Sequence, residues 1–258
     1  MNLNNKFYTI GWGGGGFGDQ LLAAYVANIL NFNKIPCQLN AAVPIKNLIN
    51  CKRFYPDFEA FGKPINIRLN RTKRKDPNFT IITDLLNYFI HKSKLDISLS
   101  SLNIKDAPHP IVYKALNNLK KYDVALVTKT GGWTPCRNWP YFSELKKIFK
   151  KNSISYIDLS AENIRGFEFL NYVKKCNVYL GLETGSSHYA APFISGKGFI
   201  IQSGYCDFRY WAAHYDYEFL HYPVNCSPCW KRRDCDKDHK CMTQISPDRV
   251  FEIIQDDL

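Results

Sequence analysis

Four cysteines crowd one short stretch of the chain: Cys226-Ser-Pro-Cys229, then Cys235 and Cys241. Thiols stay reduced inside cells, and the chain opens without the apolar run of a signal peptide, so metal binding outranks disulfide pairing here. Four thiolates suit tetrahedral zinc, and iron accepts the same donors. With all four positions filled by protein sulfur, no open site remains, and the metal is expected to be a structural staple. Lys231, Arg232, Arg233, Lys237 and Lys240 around the cysteines raise a rival, a nucleic-acid-binding knob, which Asp234, Asp236 and Asp238 largely offset. The other cysteines, Cys37, Cys51, Cys136, Cys176 and Cys206, show no such grouping and read as buried or free thiols.

A second constellation is Glu183-Thr184-Gly185-Ser186-Ser187-His188, which follows an apolar run and opens a helical one. A strand end, a glycine, hydroxyl groups and a helix N-terminus together make an anion cradle, with His188 placed to donate to the same anion. The alternative is a capped turn with a core histidine. The third is Asp19, at the end of a glycine-rich segment that includes Gly15, Gly16 and Gly18. As a helix N-cap it would be structural. Beside an open cleft it could take a proton from an incoming hydroxyl. The glycines match G-x-G-x-x-G, yet no Asp or Glu lies between Asp19 and Asp57 to hold a ribose, and no G-K-[ST] is present. Dinucleotide and P-loop readings therefore fail.

The elements that must carry these residues follow from hydrophobic periodicity. Residues 6–10 read as a strand, and from Asp19 the spacing of Leu21, Leu22, Tyr25, Val26, Ile29 and Leu30 is helical. A second strand at 35–39 completes a βαβ unit, which favours a parallel sheet. Residues 56–77 show little periodicity and read mainly as loop. The pattern restarts at Tyr122: strands at 123–129, 154–159, 177–182 and 198–202 alternate with helices at 141–150, 164–175 and 186–193. A last helix follows Ser246 as N-cap and Pro247 as first residue. Two α/β domains, residues 1–122 and 123–258, are expected.

Composition sets the outer bounds. The 258 residues are 45% hydrophobic and carry 34 Lys and Arg against 23 Asp and Glu, a net +11. That excludes disorder and collagen-like repeats. No apolar run is long enough to span a bilayer, so a soluble, cytoplasmic protein with at most peripheral membrane contact is expected. The charge is lopsided: residues 1–122 hold 17 basic and 7 acidic side chains, the remainder 17 and 16. Arg71, Lys73, Arg74 and Lys75 form its densest patch. Such a half attracts anions, whether phosphorylated glycan, membrane surface or nucleic acid.

Taken in order, four segments resemble glycosyltransferase family 9, the bacterial heptosyltransferases and their relatives. They are the turn Gly16-Phe17-Gly18-Asp19, the run Arg137-Asn138-Trp139-Pro140 before a helix, the stretch Glu183-Thr184-Gly185-Ser186-Ser187-His188-Tyr189-Ala190-Ala191, and the cysteine tail followed by Ile245-x-Pro247-x-x-Val250. The resemblance implies a GT-B architecture, two Rossmann-like domains facing across a cleft. The N-terminal half would bind the acceptor and the C-terminal half a nucleotide-sugar donor, typically an ADP-heptose, with inverting transfer and no catalytic metal. By position Asp19 would be the base, and Thr184, Gly185, Ser186 and His188 would hold the diphosphate. Glu183 stands where the family has Asp. Arg137 replaces a lysine and would offset leaving-group charge. The basic half, with Arg71 to Lys75, points to an anionic acceptor: a phosphorylated glycan, a protein or modified nucleic acid. The chain is short for the family. The competing function is a non-catalytic nucleic-acid binder built on a four-cysteine zinc knob, which would leave Asp19 and the Thr184 loop without a purpose.

Overall fold

A computed structural model of the chain describes residues 6–11, 16–40, 47–51, 55–67, 79–132, 134–212 and 215–258. Their contacts divide the chain into two units, Met1–Val112 and Tyr113–Leu258. Among the described residues no helix is long and apolar enough to cross a membrane.

In the first unit, β1 (Lys6–Gly11) is followed by α1 (Phe17–Phe32) and β2 (Cys37–Asn40). β1 pairs in parallel with β2 on one side and with β3 (Glu59–Ala60) and β4 (Ile65–Asn66) on the other. This is the expected βαβ unit, extended within the segment read as loop. α1 buries Leu21, Leu22, Ala23, Val26, Ala27 and Leu30, so small and branched apolar residues alternate along the face that covers the sheet. α2 (Ile81–Ser93) was not foreseen, although Ile81, Ile82, Leu85, Leu86, Phe89 and Ile90 give it a buried helical stripe. Its start is locked reciprocally: Thr83 N donates to the Thr80 hydroxyl, and Thr80 N donates to the Thr83 hydroxyl. Two orphan helix donors are thereby satisfied.

The second unit carries a five-stranded parallel sheet in the order β6-β5-β7-β8-β9. Its strands are β5 (Val124–Leu126), β6 (Tyr156–Asp158), β7 (Val178–Leu182), β8 (Lys197–Gln202) and β9 (Glu218–His221), and every neighbouring pair is parallel. Every residue of β7 is buried, as befits a central strand covered on both faces. The helices are α3 (Phe142–Lys151), α4 (Gly166–Lys175), α5 (Gly185–Ala190), α6 (Phe208–Ala212), α7 (Lys240–Thr243) and α8 (Pro247–Ile254). Phe142, Leu145 and Phe149 of α3 pack with Val250 and Ile254 of α8 against Val124, Leu126 and Leu180. Each such side chain contributes about 1.5–3 kcal/mol on full burial. Ser246 caps α8 by accepting from Arg249 N, with Pro247 at its first turn, as the sequence implies.

Residues 113–122, grouped above with the N-terminal half, pack on the second unit. The buried Asn171 of α4 holds them: its Oδ1 accepts from Tyr113 OH and Leu116 N, both at 2.9 Å. Its Nδ2 donates to Lys114 O and Phe167 O, both at 2.7 Å. No hydrophobic period marks this extended segment, so its attachment is invisible until the fold supplies Asn171.

Candidate functional site

In a parallel α/β sheet, ligands bind beyond the carboxyl ends of the strands. In the second unit those ends collect most of the residues singled out by sequence. β7 leads directly into Glu183 and Thr184, and Thr184 is the N-cap of α5, with extended backbone. Ser187 is fully buried: it donates to Leu182 O at 2.6 Å and shares a hydrogen bond with Tyr179 OH. Tyr217 OH donates to Ser187 O at 2.6 Å. The turn is therefore fixed from below, and Gly185 and Ser186, both half-buried, form its open side.

His188 sits on this turn but is only 3% exposed. Its ring lies 4.3 Å from that of Trp211 and 5.5 Å from that of Tyr215, centroid to centroid. The imidazole is walled by aromatic rings, the packing of a core histidine.

Arg137 and Glu183, both read as donor-binding, meet each other in the interior. Arg137 Nη1 lies 3.4 Å from Glu183 Oε1, with side-chain exposures of 9% and 1%. The guanidinium also donates to the Thr134 hydroxyl and lies over the Tyr205 ring. Glu183 receives further donors from β8 and the turn after it: Gln202 Nε2 at 2.8 Å, Ser203 OH at 3.0 Å and Cys206 SH at 3.1 Å. Burial pushes the Glu183 carboxyl above the ordinary range, and it outweighs the opposing pull of Arg137 and of the Cys206 and Ser203 donors. These two charges thus tie the segment before α3, the end of β7 and the end of β8 into one buried knot. Gln202, Ser203, Tyr205 and Cys206 were not singled out by sequence. The polar Gln202-Ser203-Gly204 closing an apolar strand is the signal that would have found them.

Asp19 lies in the first unit at the third position of α1, not at its N-cap, which is Gly16. Its Oδ2 accepts the Gly16 N–H at 3.0 Å. The carboxylate is half-buried at the loop–helix junction. One oxygen thus performs the helix-start role, by a different geometry from the one expected. Gly18 lies within the first turn of α1, whereas Gly15 lies outside the described residues, as does the basic patch Arg71, Lys73, Arg74 and Lys75.

The cysteine segment docks on the turn after β8. Cys229 N donates to Gly204 O at 2.9 Å and Trp230 N to Tyr205 O at 3.0 Å. A Cβ on Gly204 would lie 3.2 Å from Val224 Cγ2 and 3.3 Å from Cys241 Cβ, so the approach is tight enough that any larger residue would have to push these neighbours back by a few tenths of an ångström. The sulfurs of Cys229 and Cys241 are met by the backbone N–H groups of Lys231 and Gly204 respectively, which favour thiolate. Burial pushes both thiols up, and the neighbouring cysteines push them further. All nine cysteines are free thiols. Among the described residues, no three His, Cys, Asp or Glu side chains are gathered closely enough to hold a metal as they stand. The donor chemistry of Cys226, Cys229, Cys235 and Cys241 fits a thiophilic metal, which would have to draw the sulfurs together.

This is the fold of the GT-B glycosyltransferases. Comparison with protein-family models and with curated proteins finds no match. Solved structures match over nearly the whole chain. The iron-containing dodecameric glycosyltransferase TibC of enterotoxigenic E. coli superposes with a TM-score of 0.67 at 13% identity, covering 99% of this chain and 77% of TibC. TibC in complex with ADP-D-β-D-heptose gives 0.65 at 12% identity, covering 98% and 76%. A glycosyltransferase family 9 protein from Veillonella parvula gives 0.57 at 11% identity, covering 99% and 98%. In fold the chain therefore resembles glycosyltransferase family 9, as its motifs do.

Proposed function

We propose that the protein is an inverting glycosyltransferase that moves a sugar from a nucleoside diphosphate donor to a hydroxyl of an anionic acceptor. One observation carries the reading: an all-parallel sheet ends in the Thr184–His188 turn, within a fold similar to TibC, a heptosyltransferase solved with ADP-heptose. The donor is an ADP-linked heptose or a close analogue. Thr184, Gly185 and Ser186 bind its diphosphate at the N-terminal turn of α5, whose dipole favours negative charge. His188 is the aromatic-walled floor of that turn. Arg137 acts from the buried knot, holding Glu183 and so the end of β7 in place.

Asp19 is the base. Inverting transfer needs one oxygen activated as the leaving diphosphate departs on the opposite face. The carboxylate, held on Gly16 N at the loop–helix junction, is the group placed to take that proton. The cysteine tail contributes no atom to the reaction. Zinc or iron held by Cys226, Cys229, Cys235 and Cys241 supplies a cross-link where regular structure is sparse, and TibC is itself iron-containing.

The test is a calorimetric titration of the metal-replete protein with ADP, UDP, GDP and their sugar conjugates. Selective binding of one diphosphate, followed by transfer from its sugar conjugate, is the expected outcome. Binding of none, with nucleic acid bound instead, would replace this reading by that of a non-catalytic knob protein.

A further inference from the structure

Two tyrosines that sequence did not single out stand beneath the Thr184 turn. Tyr179 of β7 pairs across the sheet with Gly198 of β8. Tyr217 comes one residue before Glu218, the β9 partner of Phe199, and so falls beside Gly198 on its other side. Cross-strand neighbours share a face of the sheet, so a glycine here lies between two tyrosines. Their rings close over it with centroids 6.0 Å apart. A Cβ on Gly198 would come within 2.8 Å of Tyr217 Cδ1 and Cε1, and that ring is backed by Trp211 and Phe219. Gly181, two residues past Tyr179 on the same face, clears the second path. A Cβ there would lie 2.8 Å from the Tyr179 hydroxyl and 2.9 Å from Ser187 Oγ.

Both hydroxyls thereby converge on one residue of α5. The Tyr179 hydroxyl meets Ser187 Oγ at 2.9 Å, and Tyr217 OH donates to Ser187 O at 2.6 Å. Ser187 N donates to Thr184 O at 3.1 Å, so the tyrosines grip the sheet side of the same turn whose open side is Gly185 and Ser186.

We infer that Tyr217, seated over Gly198 and backed by Tyr179, is a positioning residue for the donor: its hydroxyl sets where the Thr184–His188 turn stands against the diphosphate. This rests on the donor reading above and deepens it. Tyr217 is buried and acts through Ser187. The turn would hold the diphosphate in the ground state and the transition state alike, so misplacing it removes uniform binding. Such a loss raises KM and spares kcat.

The test uses the full chain and hydrolysis of ADP-heptose without acceptor, where slow chemistry makes KM a dissociation constant. A calorimetric titration with ADP accompanies it. Tyr217→Phe removes only the hydroxyl. It should raise KM for ADP-heptose and the ADP dissociation constant about three- to ten-fold, with kcat within about two-fold of the parent. Tyr141→Phe is the matched control, because the phenol at the start of α3 also donates to a backbone carbonyl, Thr243 O at 3.2 Å. That variant should lower the melting temperature and leave both constants where they are. Gly198→Ala displaces the Tyr217 ring from the opposite side and should raise KM in the same sense. It should add little in the Tyr217→Phe background, where no hydroxyl remains to misplace. An unchanged KM in Tyr217→Phe, an equal rise in Tyr141→Phe, or effects of Tyr217→Phe and Gly198→Ala that multiply would each overturn the inference and leave the donor site standing. A parent protein that binds neither ADP nor ADP-heptose overturns the inference and the ADP-linked donor together.

Discussion

At the scale of single residues, Asp19 and Glu183 are opposite uses of a carboxylate. Asp19 is half-exposed and accepts the Gly16 N–H; Glu183 is sealed inside with several donors. Replacing Asp19 by Asn keeps an oxygen for Gly16 N–H but removes the base. Turnover should fall by about 10²- to 10⁴-fold. Nucleoside diphosphate affinity and the melting temperature should stay near their original values. If Asp19→Asn turns over normally, the carboxylate only caps α1. Glu183 makes a pH prediction. Its folded-state pKa is raised, so the native protein holds this proton more tightly than the unfolded chain does. The resulting stabilisation is complete below the ordinary glutamate value, about 4.3. It is lost as pH rises from there through the raised folded value. Glu183→Gln removes that slope and leaves a pH-independent offset from the broken pair with Arg137. Urea unfolding of both proteins across that window should show their stability difference drifting with pH, the wild type losing ground as pH rises. A constant difference would mean that Arg137 fully compensates the burial.

At the scale of elements, strands and helices with several apolar positions could be read in advance, and those with few could not. β7, α3 and α8 carry complete buried stripes, and their places follow from sequence to within two residues. β3 and β4 have two residues each, too few for any period to show. α2 was legible in principle from its Ile–Ile and Leu–Leu pairs. The candidate site divides in the same way. The Thr184 turn is contiguous in sequence and stands out there. The Arg137–Glu183–Gln202–Cys206 knot joins distant segments, and no local spacing encodes it. Asn171 is the sharpest case, one polar side chain that decides where ten residues belong. Both ends of its amide are satisfied, with four partners at 2.7–2.9 Å. Asn171→Ala removes the side-chain partner of the part-buried Leu116 N–H and Lys114 carbonyl, a net loss of about 0.5–1.5 kcal/mol for each hydrogen bond. The variant should unfold at lower urea and become open to limited proteolysis within residues 113–122. Cleavage in that segment no faster than in the parent would show that its other contacts hold it without Asn171, among them the Lys175 bond to Leu119 O and the stacking of Tyr113 on Phe193.

At the scale of the whole molecule, the reassignment of residues 113–122 changes the electrostatic argument. Lys114, Lys120 and Lys121 move with that segment, so the first unit's surplus falls from +10 to +7 and the second's rises from +1 to +4. Both units are then basic, in keeping with the anionic donor and acceptor proposed above, but the first remains the more strongly charged. That difference in degree yields a test which separates donor from acceptor. Salt shortens the Debye length from about 10 Å at 0.1 M to about 3 Å at 1 M and so weakens attraction exerted by a whole surface. Hydrogen bonds within the partly buried Thr184 turn are screened far less. Slow hydrolysis of the donor without acceptor reports the donor site alone, whereas sugar transfer reports both. Across a sodium chloride series, kcat/KM for the acceptor should fall several-fold more than the hydrolysis rate at subsaturating donor. Parallel declines would place the electrostatic pull on the diphosphate, and the basic surplus of the first unit would have no part in choosing the acceptor.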